Sequence, residues 1–210
     1  VSIDGPPGVQ ESARGRGMTK RALDAIRDAN RLGVAAEPST ILTAELVDYG
    51  VDRWFEYLSR ELGRRPDLVL WPIFLKPDTH LDAADGGNAL DPAHLQAAAD
   101  QIASLMLSPA NVVVADYPVI NPLLARRGVP AERLWQCNAG RGRLSVQADG
   151  MLSPCHPFRL ALGSVTPATV RGFVDRVLGH PDYVRLGVRD HEGCASCPEQ
   201  SVCGNCQAVV

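Results

Sequence analysis

The first 136 residues of this 210-residue chain contain no cysteine, whereas the last 74 contain six. The sequence also has no apolar run near the roughly 20 residues that a bilayer-spanning helix needs, and no secretory signal is recognisable. A formal net charge of −3 gives no reason to expect nucleic acid as a partner. Hydrophobic residues make up 45% of the chain, enough for a core that needs no disulfide staples. We therefore expect a cytoplasmic protein with no membrane and no nucleic-acid partner, and metal ligation is favoured over disulfides for its cysteines.

The cysteine spacing indicates a metal site. Cys137 and Cys155 stand apart, while the other four are separated by two, five and two residues: Cys194, Cys197, Cys203 and Cys206. Thiolates are strong ligands for iron and for zinc. Zinc ribbons place their two C-x2-C pairs about a dozen or more residues apart, so the compact gap favours an iron–sulfur cluster. A structural zinc site, or disulfides and inert thiols, are the alternatives.

Cys137 and Cys155 flank a predicted β-hairpin. Asp149-Gly150 between alternating apolar residues is a strong hairpin signal, because glycine readily adopts the positive φ that such turns need. A hairpin brings the ends of its two strands together, so the two thiols are expected to lie close to each other. They are either a buried pair of thiols or two ligands of a second cluster that a later cysteine completes.

The part before the cysteines alternates strands with helices, which is typical of a parallel sheet with crossover helices. We predict strands at residues 1–4, 34–42 and 68–75, with a Gly-Pro-Pro-Gly turn after the first. Helices are predicted at residues 18–32, 52–62 and 91–106, a short helix at 121–126, and a last helix at 166–178. The rest of residues 111–136 is irregular. Three strand–helix units make half of a barrel or a small open sheet, and the chain begins within a strand, so we expect residues upstream of Val1.

These motifs resemble one family at both ends of the chain. The order Cys137, Gly150, Cys155 and then C-x2-C-x5-C-x2-C resembles the SPASM domain of radical S-adenosylmethionine enzymes, although the family usually has three residues in the last interval. Residues 162–166 also resemble the segment that precedes the SPASM helix. Independently, the Ser-Ile-Asp-Gly-Pro run at residues 2–6 and the following Arg14-Gly15 are similar to the fourth strand and helix of the radical S-adenosylmethionine barrel.

The resemblance implies an α/β fold in two parts. Residues 1–131 would be the carboxy-terminal half of a partial (β/α)6 barrel with a linker, and residues 132–210 a small α+β SPASM iron–sulfur domain. In the family, a [4Fe–4S] cluster held by C-x3-C-x2-C binds S-adenosylmethionine, and a donor such as a ferredoxin or flavodoxin reduces it. The resulting 5′-deoxyadenosyl radical abstracts hydrogen from a peptide or protein substrate. The C-x3-C-x2-C motif is absent from residues 1–210, so this chain alone is expected to be inactive.

The resemblance also implies roles for the cysteines. One auxiliary [4Fe–4S] cluster would be held by the two outlying cysteines and the last one, namely Cys137, Cys155 and Cys206. The other would be held by Cys194, Cys197 and Cys203. The cysteine that the family uses to complete this second ligand set is absent from the chain.

Three further residues are candidates for the site. Ser2 and Asp4 end a predicted parallel strand, the usual ligand edge of such a sheet. The family resemblance implies that they approach the ribose or amino group of S-adenosylmethionine. The alternative is that Asp4 caps the following turn. His156 is a candidate catalytic proton carrier or a neighbour of a cluster, or else a surface histidine. Sulfatase-maturing members carry an aspartate at the position of His156, so the resemblance favours maturation of a ribosomally made peptide. The competing function is a non-catalytic, metal-stabilised peptide-binding module.

Overall fold

The computed structural model describes residues 1–72, 90–115, 120–134, 143–155, 161–180, 198–199 and 202–203. The chain forms two compact units, Val1–Trp135 and Gln136–Val210. Among the described residues no helix has the length and apolarity needed to cross a membrane. The predicted barrel and SPASM identities of the two parts stay predictions.

The first unit is built on a three-stranded parallel sheet. Its strands are β1 (Ser39–Leu42), β2 (Leu68–Pro72) and β3 (Val112–Val114), in the spatial order β1-β2-β3. Its helices are α1 (Pro7–Arg14), α2 (Met18–Arg31), α3 (Ala44–Tyr49), α4 (Val51–Leu62), α5 (Pro92–Leu107) and α6 (Asn121–Ala125), followed by a 3-10 turn at Ala131–Arg133. Residues 1–4 add one parallel bridge, Ser2 to Ser39, at the β1 edge. The parallel sheet predicted from the strand–helix alternation is therefore confirmed.

Helices α2 and α4 form because each carries one apolar face at helical spacing. In α2 the buried residues are Thr19, Ala22, Leu23 and Ile26, and in α4 they are Val51, Trp54, Phe55 and Leu58. Both sets follow the i, i+3, i+4, i+7 pattern. Helix α5 begins as predicted, because the Asp91 side chain accepts a hydrogen bond from the His94 amide. These helices and the short helix α6 confirm the predictions.

Two local predictions were wrong, and two short elements were missed. The turn predicted after the first strand is helix α1, which begins at Pro7, a position where the missing N–H costs nothing. The strand predicted at 34–42 is only Ser39–Leu42, because Pro38 has no N–H to give to the ladder. Helix α3 and strand β3 were missed, since elements of six and three residues are too short to show a period. The strand predicted at 68–75 begins at Leu68 as predicted and is described as far as Pro72, while residues 73–75 lie outside the described residues.

The second unit contains the predicted hairpin. Strands β4 (Ser145–Val146) and β5 (Leu152–Ser153) pair antiparallel, and Gly150 between them has φ 79°. Residues 162–165 run antiparallel to the other side of β5. The predicted last helix is divided into α7 (Pro167–Arg171) and α8 (Phe173–Leu178), with Gly172 between them. The core of the second unit contains Leu152, Leu162, Phe173 and Val177.

Candidate functional site

The parallel sheet has one face covered by helices and one face that is half-exposed. The buried side chains alternate with half-exposed ones along each strand. The half-exposed positions are Ser39, Ile41, Val69, Trp71 and Val113. The register pairs Ser39 with Val69 and Val69 with Val113, so these side chains form rows across one face. We call this surface the open face.

The residues before α1 extend the open face at the β1 edge. Ser2 is exposed and bridges to Ser39, so both side chains lie on the same face. The Trp71 indole N–H donates to Ser39 Oγ at 2.6 Å, which fixes the ring on that face. Because side chains alternate along a strand, Asp4 follows Ser2 on the same side. The open face therefore combines an apolar floor with polar groups at the edge that carries Ser2.

Asp4 is buried, with 7% of its surface exposed, and it does not cap the turn that follows it. Its Oδ2 forms an ion pair with Arg14 Nε at the end of α1. Its backbone N–H donates to Gln10 Oε1 at 2.7 Å. Helix α1 therefore places one cation and one amide beside Asp4.

Two buried polar atoms at this strand end have no hydrogen-bond partner among the described residues. They are Asp4 Oδ1 and Gln10 Nε2, on residues that are 7% and 1% exposed. Leaving such a group unpaired costs about 1–3 kcal/mol. A carboxylate acceptor and an amide donor beside one strand end suit a ligand that carries both hydroxyl or ammonium donors and acceptor oxygens. The donor set thus fits a polar organic ligand.

The buried hydroxyl of Thr40 lies where the pairing between residues 1–4 and β1 ends. Thr40 Oγ1 donates to the Ile3 carbonyl at 2.6 Å and accepts from the Trp54 indole N–H at 3.1 Å. Thr40, Ile3 and Trp54 are each 0% exposed. This chain of hydrogen bonds ties the peptide just before Asp4 to helix α4, and so fixes where Asp4 leaves the sheet.

Two of the six predicted metal ligands lie in the described part of the chain. Cys155 directly follows β5. Cys203 lies in a turn, where its backbone N–H donates to the Glu199 carbonyl at 2.8 Å. Both residues are half-buried. Cys137, Cys194, Cys197 and Cys206 lie outside the described residues, as does His156. Within the described residues no group of three or more His, Cys, Asp or Glu side chains could hold a metal. Thiol donors suit iron–sulfur clusters, so the chemistry of the cysteines fits the implied group.

Gln10 and Thr40 were not predicted as site residues. Gln10 contacts Asp4 because α1 folds back within six residues, and this helix was not recognised. Thr40 meets Ile3 across 37 residues of sequence, a contact that only the strand register creates. No local signal distinguished Thr40, because Ser39 and Thr43 are polar neighbours in the same stretch.

The fold is shared with solved structures of anSMEcpe. The structure of anSMEcpe with bound AdoMet (S-adenosylmethionine) and Cp18Cys peptide is 15% identical, with a TM-score of 0.64 over 97% of this chain and 58% of that chain. The structure with AdoMet alone is 16% identical, with a TM-score of 0.61 over 97% of this chain and 56% of that chain. The chain thus spans less than two thirds of anSMEcpe. No protein-family model and no curated protein matches the sequence.

Proposed function

We propose that this chain is part of a radical S-adenosylmethionine enzyme that modifies or cross-links side chains of a ribosomally made peptide. The observation that carries the proposal is the fold shared with anSMEcpe, a radical S-adenosylmethionine enzyme solved with AdoMet and a peptide bound. The subgroup of anSMEcpe is not carried over, because likeness at 15% identity supports the fold alone. The proposal agrees with the family resemblance of the two sequence motifs.

The open face is the proposed site for S-adenosylmethionine. Asp4 Oδ1 would accept a hydrogen bond from a ribose hydroxyl or the ammonium group, and Gln10 Nε2 would donate one to an oxygen of the ligand. The ion pair with Arg14 orients the Asp4 carboxylate. Ser2, which is exposed beside Ser39, would contact the same ligand. These contacts would satisfy polar atoms that the described residues leave unpaired.

The cysteine-rich unit is the proposed holder of auxiliary clusters. Cys137, Cys155 and Cys206 would bind one [4Fe–4S] cluster, and Cys194, Cys197 and Cys203 another, with His156 as a candidate proton carrier. In such enzymes a reduced [4Fe–4S] cluster with S-adenosylmethionine supplies a 5′-deoxyadenosyl radical. In this proposal the chain's own residues bind and orient S-adenosylmethionine and supply the cysteine ligands of the auxiliary clusters. A ferredoxin or flavodoxin is the proposed electron donor.

The proposal is tested by S-adenosylmethionine binding to the complete gene product, loaded with iron and sulfide under anaerobic conditions. Gln10→Leu removes the unpaired amide donor together with the acceptor of the Asp4 N–H. It should raise the dissociation constant about tenfold, as expected for loss of a buried hydrogen bond to the ligand. Asp4→Asn should weaken binding similarly, because it also breaks the pair with Arg14. Equilibrium dialysis measures each constant.

Gln101→Leu is the matched control. Gln101 Oε1 accepts from the Val51 amide at 2.7 Å, and its Nε2 donates to the Val47 carbonyl at 3.1 Å, so its amide is fully used inside the protein. The control should lower the unfolding midpoint and leave the dissociation constant unchanged. Unaltered binding in Gln10→Leu would contradict the proposed site. Peptide binding without any S-adenosylmethionine binding would favour the non-catalytic module.

A further inference from the structure

Cys155 is held by a side chain rather than by the sheet. Strand β5 is paired on both sides, because Leu152 pairs with Val146 on β4 and exchanges backbone hydrogen bonds of 2.9 Å with residues 162 and 163. The ladder cannot continue past Ser153, since Pro154 has no N–H to donate. The peptide that carries the Cys155 thiol is therefore restrained by contacts other than the ladder.

The Ser153 hydroxyl supplies that restraint. Gln147 Nε2 donates to Ser153 Oγ at 2.7 Å, and Ser153 Oγ donates to the Cys155 carbonyl at 3.1 Å. Ser153 is 1% exposed, so water does not compete for these bonds. Gln147 is itself anchored, because its backbone N–H donates to the Met151 carbonyl at 2.8 Å across the turn. The hydroxyl thus links the start of the turn to the backbone of Cys155.

We propose that Ser153 is a positioning residue for the metal ligand Cys155, with Gln147 holding the Ser153 hydroxyl in place. This inference rests on the proposed function for the ligand role of Cys155. A thiol fixed before metal binding loses less freedom when the cluster forms. Groups that hold a ligand in this way also tune the affinity and the reduction potential of a metal centre. Ser153 acts through Cys155 and is assigned no contact with iron.

The hairpin provides a matched control. Ser145 lies directly opposite Ser153 in the register, and its hydroxyl has no hydrogen bond within the described part of the chain. Ser145→Ala and Ser153→Ala therefore remove the same atom from facing strand positions. Only the second leaves a Gln147 donor and the Cys155 carbonyl without their partner. Ser153→Thr keeps a hydroxyl and tests rescue.

The first readout is the alkylation rate of Cys155 in the 210-residue chain purified without iron. Cys155 is the only cysteine in the tryptic peptide of residues 144–159, so mass spectrometry reports it separately from the other five. We expect iodoacetamide to modify Cys155 about tenfold faster in Ser153→Ala, because two hydrogen bonds are lost. Ser145→Ala and Ser153→Thr should match the wild type. Equal rates in Ser153→Ala and Ser145→Ala would overturn the proposal.

The second readout is the cluster after anaerobic reconstitution. Ser153→Ala should bind less iron and shift the EPR signal and midpoint potential of the reduced protein, while Ser153→Thr restores both. Failure of Ser153→Thr to restore them, with Ser145→Ala normal, would show that packing and not the hydroxyl matters. Absence of iron from the wild type would contradict the proposed function and the ligand role of Cys155, while the alkylation rates would still decide whether Ser153 holds that residue.

Discussion

Replacing Thr40 with valine removes a hydroxyl from the centre of the first unit without changing the shape of the side chain. The Ile3 carbonyl loses its donor at 2.6 Å, and the Trp54 indole N–H loses its acceptor at 3.1 Å. All three residues are 0% exposed, so water does not replace the lost bonds. Each unpaired buried group costs about 1–3 kcal/mol. The free energy of unfolding should fall by about 2–4 kcal/mol, since the added methyl group offsets part of the loss.

Thr19→Val is the control for this substitution. Thr19 is also buried, at 3% exposed, but its Oγ1 has no partner among the described residues. Removing that hydroxyl relieves an existing desolvation cost, so the free energy of unfolding should stay the same or rise slightly. The two variants make the same chemical change at buried positions of the first unit, one where the hydroxyl has hydrogen-bond partners and one where it has none among the described residues.

Urea denaturation followed by tryptophan fluorescence measures both effects. The three tryptophans of the chain all lie within Val1–Trp135, so their emission reports on the first unit. A lower midpoint at unchanged m-value indicates lost stability and not a changed unfolded state. Equal midpoints for Thr40→Val and Thr19→Val would refute the reasoning, because they would show that the bonds to Ile3 and Trp54 contribute nothing.

Three other predictions concern positions outside the open face. The hydrogen bond from the His94 amide lowers the pKa of Asp91 below its ordinary 3.8. The charged cap therefore stabilises α5 fully above pH 3.8, and this stability is lost as the pH falls through the lowered pKa. Asp91→Asn should flatten the acid limb of a pH–stability curve. Gly150→Val places a branched side chain at φ 79° and should cost about 1–2 kcal/mol and reduce iron loading, whereas Gly150→Asn should cost less in thermal denaturation. Arg133→Met removes a donor to the Met106 carbonyl in the last turn of α5 and a 3.0 Å bond to the Ala110 carbonyl just beyond that helix. It should lower the unfolding midpoint more than Arg16→Met at an exposed position.

The sequence was sufficient for the elements whose pattern is long. Helices α2 and α4 follow from apolar residues at i, i+3, i+4 and i+7, and α5 follows from its Asp-Pro start. Strand β3 has only three valines, which fit a helix or a loop equally well. Its place in the sheet depends on pairing with β2, a contact between residues 68–70 and 112–114 that no local pattern contains.

The candidate site was predictable only in part. Asp4 could be chosen because it ends a strand, but its partners depend on how the chain folds around it. Gln10 reaches Asp4 because α1 turns back immediately, and two prolines with a glycine had predicted a turn there. Thr40 reaches Ile3 through strand register. Tertiary geometry therefore decides which polar residues surround a strand end, while sequence indicates only where the strand end lies.

Cleavage of S-adenosylmethionine is the most direct test of the central claim. The complete gene product, loaded with iron and sulfide and reduced under anaerobic conditions, should form 5′-deoxyadenosine, measured by chromatography. Residues 1–210 alone should form none, because they lack the C-x3-C-x2-C motif that, in the proposed function, holds the cluster to which S-adenosylmethionine binds. No 5′-deoxyadenosine from the iron-loaded complete product would contradict the account, and multiple turnovers by residues 1–210 alone would contradict the assignment of cleavage to that motif.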